Sequence, residues 1–184
     1  MFRLVIIFFI LNFYNPTFSS MNEKIISQMK LTNSLSFNFL QTIDEKNEKG
    51  SCTIKYPKKL YCRYINPNNK IIISNGKSLV IKNTNGKNYY IYPLKKTPLE
   101  FLLDKNYLIS KIKKLEPKVI DGRYINFTIF ENNNEINIFF DKNTFILTGW
   151  QTEDIYQNLS ITFISSVKIN HETDDMIFIL PKND

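Results

Sequence analysis

Residues Cys52–Lys82 read CTIKYPKKLYCRYINPNNKIIISNGKSLVIK. Cys52, Ile54 and Tyr56 alternate with Ser51, Thr53 and Lys55, which is the period-two signature of a half-buried strand. Pro57-Lys58 turns the chain, and Leu60, Cys62 and Tyr64 then share one face with Arg63 on the other. Asn66-Pro67-Asn68-Asn69 makes a second turn. Ile71–Ser74 and Leu79–Lys82 flank Asn75-Gly76, a hairpin signal because both residue types tolerate positive φ. Four short antiparallel strands therefore follow one another, with large apolar side chains collected on one side.

The same pattern extends in both directions. Leu35, Phe37 and Phe39 alternate with Ser34, Ser36 and Asn38, and Asn85-Gly86 repeats the turn device before Tyr89–Tyr92. Later strands are expected near Tyr124–Phe130, Glu135–Phe140, Thr144–Gln151, Asn158–Val167 and Met176–Leu180. Two helical passages interrupt them. Glu23–Leu31 carries Ile25, Ile26 and Met29 at helical spacing. Thr97-Pro98-Leu99-Glu100 reads as a helix start with Thr97 as N-cap, and Leu99, Leu102 and Leu103 form its apolar stripe. Tyr107–Leu115 continues as a second helical piece. The sum is about eleven strands in meander order with short turns, which is an α+β domain built as a barrel or a partly open one.

The chain has 184 residues, 43% of them hydrophobic, enough for one domain with a real core. Residues 1–19 read as a leader. Arg3 precedes an apolar run from Leu4 to Leu11, and Thr17-x-Ser19 supplies a small-residue cleavage pattern. That run is shorter than the roughly 20 residues a bilayer span needs. Cleavage after Ser19 leaves a single soluble, exported domain over residues 20–184, with no cysteine near the cut to receive a lipid. In a cell with two membranes the compartment is the periplasm. The net charge of +7 invites a nucleic-acid reading. Export argues against it. So does the scatter of Lys49, Lys55, Lys70, Lys77 and Lys87 over turns and strand backs, which reads as solvated surface.

The sequence does not look like an enzyme. There is one histidine, His171, near the end of the chain, and no glycine-flanked serine at a strand-to-helix turn. Histidine metal ligands and a phosphate-cradling glycine loop are both lacking, so no metal or cofactor is expected. Asp174-Asp175 sits in a polar turn and reads as a solvated pair. Cys52 and Cys62 flank a tight hairpin and share a face. Two readings stay open for them: a cross-strand disulfide formed after export, or two reduced buried thiols. The strained geometry of directly opposed pairs favours the thiols.

The order of these features resembles a family. Phe37-Asn38-Phe39-Leu40-Gln41 is followed by Ile54-Lys55-Tyr56-Pro57, Asn66-Pro67 and Ile73-Ser74-Asn75-Gly76-Lys77-Ser78-Leu79. Tyr92-Pro93-Leu94, Thr97-Pro98-Leu99 and Leu147-Thr148-Gly149-Trp150-Gln151 complete the set. The whole mature chain resembles the outer-membrane lipoprotein carrier family of LolA type. The resemblance implies an incomplete, half-open antiparallel barrel of about eleven strands with a helical lid. It implies a periplasmic carrier that takes lipid-modified proteins from an inner-membrane ABC exporter. Their acyl chains would travel in a cavity, to be passed to the outer membrane or an acceptor there. Phe37, Phe39, Ile54, Tyr56, Leu60, Cys62 and Tyr64 would line that cavity, and Leu99, Leu102 and Leu103 would belong to the lid. The family's lid-binding arginine before the proline is replaced here by Tyr56, whose hydroxyl is left to bond the lid. The neighbouring cations are not expected to substitute, Lys55 and Arg63 lying on the opposite strand face. The family tryptophan two residues before its tyrosine is replaced by Cys62.

Such a surface suits hydrocarbon. Exposing an acyl chain to water costs about 0.8 kcal/mol per methylene, so a chain of about fourteen resists transfer by roughly 11 kcal/mol. A hollow shell removes that penalty without directional bonds. A closed barrel holding a small apolar ligand is the alternative, and it predicts a sealed end and no lid.

Overall fold

The computed structural model describes residues 17–65, 69–83, 89–132, 134–154 and 157–181, with side chains from residue 21 onward. Most of the leader and the turns at Asn66-Pro67-Asn68 and Asn85-Gly86 lie outside the described residues. After helix α1 (Thr17–Leu31) come strands β1 (Ser34–Ile43), β2 (Lys46–Lys55), β3 (Lys59–Tyr64), β4 (Lys70–Asn75), β5 (Ser78–Asn83) and β6 (Tyr89–Pro93). A 3-10 turn at Leu94–Lys96 leads into α2 (Leu99–Leu102) and α3 (Lys105–Ile112). The chain returns through β7 (Lys118–Ile120), β8 (Tyr124–Glu131), β9 (Asn134–Asp141), β10 (Leu147–Glu153) and β11 (Leu159–Ile169). Among the described residues no helix is long and apolar enough to cross a membrane.

All eleven strands form one antiparallel sheet in the order β6-β5-β4-β3-β2-β1-β11-β10-β9-β8-β7. The first and last strands pair at its centre, Leu40 against Phe163 and Gln41 against Thr162. Each half is a meander running outward to an edge, and α2 and α3 carry the chain from edge β6 to edge β7. The half-open architecture expected from the resemblance is present.

Local chemistry explains the elements. β1 buries Leu35, Phe37 and Phe39 and exposes Asn38 and Leu40, as alternation requires. Gly76 adopts φ +96° at the β4–β5 hairpin, and Asn75 Oδ1 accepts from the backbone of Lys77 and Ser78 at 3.0 Å. Asp104 caps α3 by accepting from Tyr107 N at 3.0 Å. The expected cap at Thr97 is not made. Its hydroxyl donates back to Leu94 O at 2.8 Å, closing the 3-10 turn instead.

Three further expectations change. α1 begins at Thr17, six residues before Glu23. The expected strand Met176–Leu180 is a 3-10 turn over Asp175–Phe178. Asp174 Oδ1 accepts from Met176 N at 2.9 Å and starts a tight turn, and Phe178 alone is buried while Met176 and Ile179 face solvent. The eleventh strand is β7, whose three residues are all exposed and so carry no alternation to read.

The concave face divides in two. On one side α1 and α3 fill the curve of β8 and β9, with Ile25, Ile112, Phe127, Ile136 and Ile138 wholly buried. Asn22 Nδ2 donates to Ile112 O at 2.7 Å and Leu115 O at 2.9 Å, tying α1 to the end of α3. On the other side β1, β2, β3 and β5 form a second apolar layer. Leu99, Leu147 and Trp150 touch both layers. This second half is not filled.

Candidate functional site

A cavity of about 460 Å³ lies between the second apolar layer and the α2–α3 segment. That volume falls within the range of about 300–1,000 Å³ usual for ligand sites. Phe39, Ile54, Leu60, Cys62 and Tyr64 line it, as do Leu99, Leu102 and Leu103 from the lid. Strand alternation places the first five. Gly50 makes room for two of them: a Cβ there would strike the Arg63 carbonyl and approach the Phe39 ring to 2.8 Å. The ring folds over the bare backbone and meets Tyr64 edge-on, centroids 4.8 Å apart.

Phe37 and Tyr56 do not line the chamber. Phe37 is buried on the expected face, but Trp150 presents to the cavity and Phe37 packs edge-on behind it at 6.2 Å. Tyr56 lies outside, below the Lys105 ammonium at 5.6 Å, and burial pushes its hydroxyl up to about 12. Trp150, Leu79 and Leu147 also line the cavity. Leu79 alternates with Ile81 on β5, but Leu147 and Trp150 are an odd number of residues apart and share the cavity through a register shift between Leu147 and Gly149, which alternation does not show.

The two cysteines are joined. The register sets Cys52 directly opposite Cys62, and the disulfide ties β2 to β3 on the chamber wall. The reduced pair favoured from sequence gives way because the short Tyr56–Lys58 turn holds the two strands in that register. The wall thus offers a bonded, apolar sulfur pair in place of two thiols.

The lid is fastened by Lys58, which corrects the expectation that no neighbouring cation substitutes. Its Nζ donates to Glu100 Oε1 at 2.5 Å and lies 3.2 Å from Asp104 Oδ2. Its backbone N donates to Leu103 O at 3.0 Å, and its own carbonyl accepts from Ser74 Oγ at 2.7 Å. The Glu100 hydrogen bond holds the ammonium above the ordinary lysine value. Lys58 sits at the hairpin tip with φ +63°, where strand alternation assigns no face. Lys55 faces outward as expected and pairs with Asp175 at 2.6 Å. Among the described residues the Tyr56 hydroxyl makes no bond to a lid carbonyl.

One end of the chamber is polar. Tyr64 donates to Gln41 Oε1 at 2.8 Å, and Lys70 Nζ lies 3.8 Å above the Tyr64 ring while bonding Glu48 at 2.5 Å. Burial, aided by Glu48, raises the Tyr64 hydroxyl well above its usual value. Among the described residues no His, Cys, Asp and Glu cluster is placed to hold a metal ion. The arrangement supplies burial for hydrocarbon, a helical cover and one hydrogen-bonding end.

These features define a class of half-open barrels that keep an apolar chamber beneath a helical lid. A family model described as outer membrane lipoprotein carrier protein LolA matches residues 30–180, and the chain belongs to that family. Comparison with curated protein sequences finds no match. Among solved structures the chain is similar to a LolA superfamily protein from Nitrosomonas europaea. The identity is 13% and the TM-score 0.46, covering 89% of this chain and 98% of that one. LprF from Mycobacterium bovis matches at 13% identity and TM-score 0.48, covering 86% and 96%. The MucA/MucB complex of Pseudomonas aeruginosa matches at 8% identity and TM-score 0.50, covering 88% and 61%.

Proposed function

We propose that this protein is a periplasmic carrier of lipid-modified proteins. It accepts them from an ABC exporter in the inner membrane, shelters their acyl chains in the chamber, and releases them to the outer membrane or an acceptor there. In this reading it is a binder with no catalytic step, and neither a nucleic acid nor a cofactor takes part. The observation that carries the reading is the unfilled apolar chamber of about 460 Å³ directly beneath a helical lid. A folded domain that stayed closed over its own side chains would have no reason to leave that volume empty, since interiors pack close to crystal density. Membership of the lipoprotein carrier family supports it. Each methylene moved from water into the chamber contributes about 0.8 kcal/mol, so one long chain supplies roughly 11 kcal/mol. The protein must also let go. A short lid fastened by one lysine and a few leucines suits an easily reversed closure.

The test is native mass spectrometry of protein recovered from its own envelope, paired with a transfer assay from inner-membrane vesicles. Bound acylated polypeptide and its transfer support the reading. A small apolar molecule alone would favour the closed-binder alternative. Leu60 lines the chamber and is 4% exposed. Leu60→Glu is expected to keep a β-type circular dichroism spectrum while abolishing transfer, and normal transfer by the folded variant would count against the chamber as the cargo site.

A further inference from the structure

The convex face of the sheet, turned away from the chamber, carries one apolar row in a polar field. Alternation puts Asn38, Ser51, Gln151 and Ser165 on this face, as contact with solvent requires. One row of the ladder departs from that. It runs from Lys49 on β2 through Leu40, Phe163, Gly149 and Phe139 to Lys118 on β7. Leu40 is 52% and Phe163 42% exposed, and Leu159 on the same face of β11 is 50% exposed. Gly149 builds the patch, since a Cβ there would meet Thr162 O at 2.5 Å and the Phe163 ring at 3.1 Å. Across its bare backbone Phe163 stacks on Phe139, centroids 5.8 Å apart, and Tyr124 joins at 6.0 Å. The Arg123 guanidinium lies 5.1 Å above the Tyr124 ring.

Cations frame this row. Lys49 and Lys118 stand at its two ends, and Arg63 stands one row over on β3. Lys168 lies further along β11, where its neighbours Val167 and Ile169 pack inward. These four and Arg123 are exposed, and among the described residues none of the five forms an ion pair within 4.0 Å. The carboxylates on the face are Asp141 opposite Tyr124, Glu153 opposite Leu159, and Glu135. Asp141 already accepts from the backbone of Asn143 and Thr144, and Glu135 from Asn137 Nδ2 at 2.8 Å. Asp121 and Lys142 in the flanking turns offset each other. The face is therefore apolar at its crest and cationic around it.

We propose that this convex face docks the protein on an anionic lipid bilayer. Attachment to a membrane surface grows with buried apolar area and with attraction between basic side chains and anionic headgroups, and the face supplies both. Tyr124 suits the headgroup level, with an apolar ring and a polar tip. Shape favours a bilayer over a protein. The row stands on the crest of a convex surface, which a soft plane meets directly and a protein could meet only with a matching hollow. A second copy fits poorly, because an isologous pair would set Lys49 and Arg123 against the same cations. Chamber and lid lie on the other side of the sheet, so the docked domain keeps both uncovered. The proposal stands independently of what the chamber carries.

The experiment is flotation of the intact protein with vesicles of phosphatidylglycerol and phosphatidylethanolamine, against vesicles of phosphatidylcholine alone. Wild type is expected to float with the anionic vesicles only, and less as salt is added. Lys49→Gln should weaken that binding about fivefold, the value of one cation near a charged surface. Leu40→Thr combined with Phe163→Thr should weaken it about tenfold with an unchanged circular dichroism spectrum. Leu60→Glu, which alters the chamber, should float as wild type does, and this separates docking from cargo uptake. If the double variant fails to fold, Lys49→Gln and the salt series decide. No flotation by wild type, equal flotation with phosphatidylcholine, or full flotation by the folded double variant overturns the docking face and leaves the carrier reading intact. Loss in Leu60→Glu alone assigns vesicle binding to the chamber. A wild-type dimer in sedimentation that the double substitution dissolves assigns the face to a second copy. Either result overturns the proposal.

Discussion

At Gly50 the chain gains a property by lacking a side chain. The Phe39 ring occupies the space a Cβ would need, and the Arg63 carbonyl closes the other approach. Gly50→Ala should destabilise the fold by about 1–3 kcal/mol through overpacking. Thermal unfolding checks it, and an unchanged Tm would show that Phe39 swings aside freely. Asp141 is a second position where one residue holds a turn. Its carboxylate accepts from Thr144 N at 2.8 Å and from Asn143 N and Thr144 Oγ1 at 3.0 Å. The Thr144 backbone bond is the main cause that lowers its pKa from the usual 3.8. Alternation puts Phe39, Ile54, Leu60, Cys62 and Tyr64 on the face that lines the cavity, because period-two patterning determines which face a strand residue takes. Phe37 takes that same face without reaching the cavity, because a face is not yet a cavity: whether a ring meets the hollow or packs against Trp150 depends on a strand more than a hundred residues away.

Two elements bound the chamber. The first is the lid clasp. Lys58→Met removes the bonds to Glu100 and Asp104, and partial solvent exposure limits the loss to about 1 kcal/mol. Amide exchange in α2 should then rise by about fivefold at this cost while β8 and β9 stay protected. Equal protection in α2 would place the closing force in the leucines alone. Because the Lys58 pKa is raised above 10.5, the lysine's contribution to the clasp is fully present below that pH and is lost as pH climbs through the raised value. The second element is the β2–β3 hairpin. Its disulfide closes a loop with a sequence separation of 10, and breaking it should cost about 2–3 kcal/mol by chain entropy. The double substitution Cys52→Ala, Cys62→Ala should lower Tm accordingly, and an unchanged Tm would show that the hairpin needs no tie. The β4–β5 hairpin was legible because its turn residues act locally, whereas the helix starts were not, since Thr97 turns back to Leu94 and Asp104 makes the cap instead. β7 and the C-terminal 3-10 turn were not, because an exposed edge strand and a run held by one buried phenylalanine leave no period.

For the whole molecule the acid limb reports how its parts are tied. The Lys111 hydrogen bond, then that of Tyr107, lowers the Glu131 pKa from 4.5, and the Lys55 hydrogen bond lowers that of Asp175 from 3.8. With Asp141 these groups stabilise the fold fully above their ordinary values, and that contribution fades as pH falls through the lowered ones. Tm should therefore decline as pH falls below the ordinary carboxylate values and through the lowered ones, and Asp141→Asn should flatten the decline. A slope unaltered by the substitution would assign the acid limb to other groups. The sequence by itself determined most of the strands, their meander order and the helical interruption, because alternation, turn chemistry and helical spacing are read within a few residues of each other. Only the tertiary structure decided that half the concave face is packed and half is hollow. It also decided that Lys58 clasps the lid and that the two sulfurs bond. The hollow depends on which strands the central β1–β11 pairing brings together, and the clasp joins a hairpin tip to a helix 42 residues further on, so neither leaves a mark on local pattern. The sulfurs are near in sequence, and what decides their bond is the exact β2–β3 register.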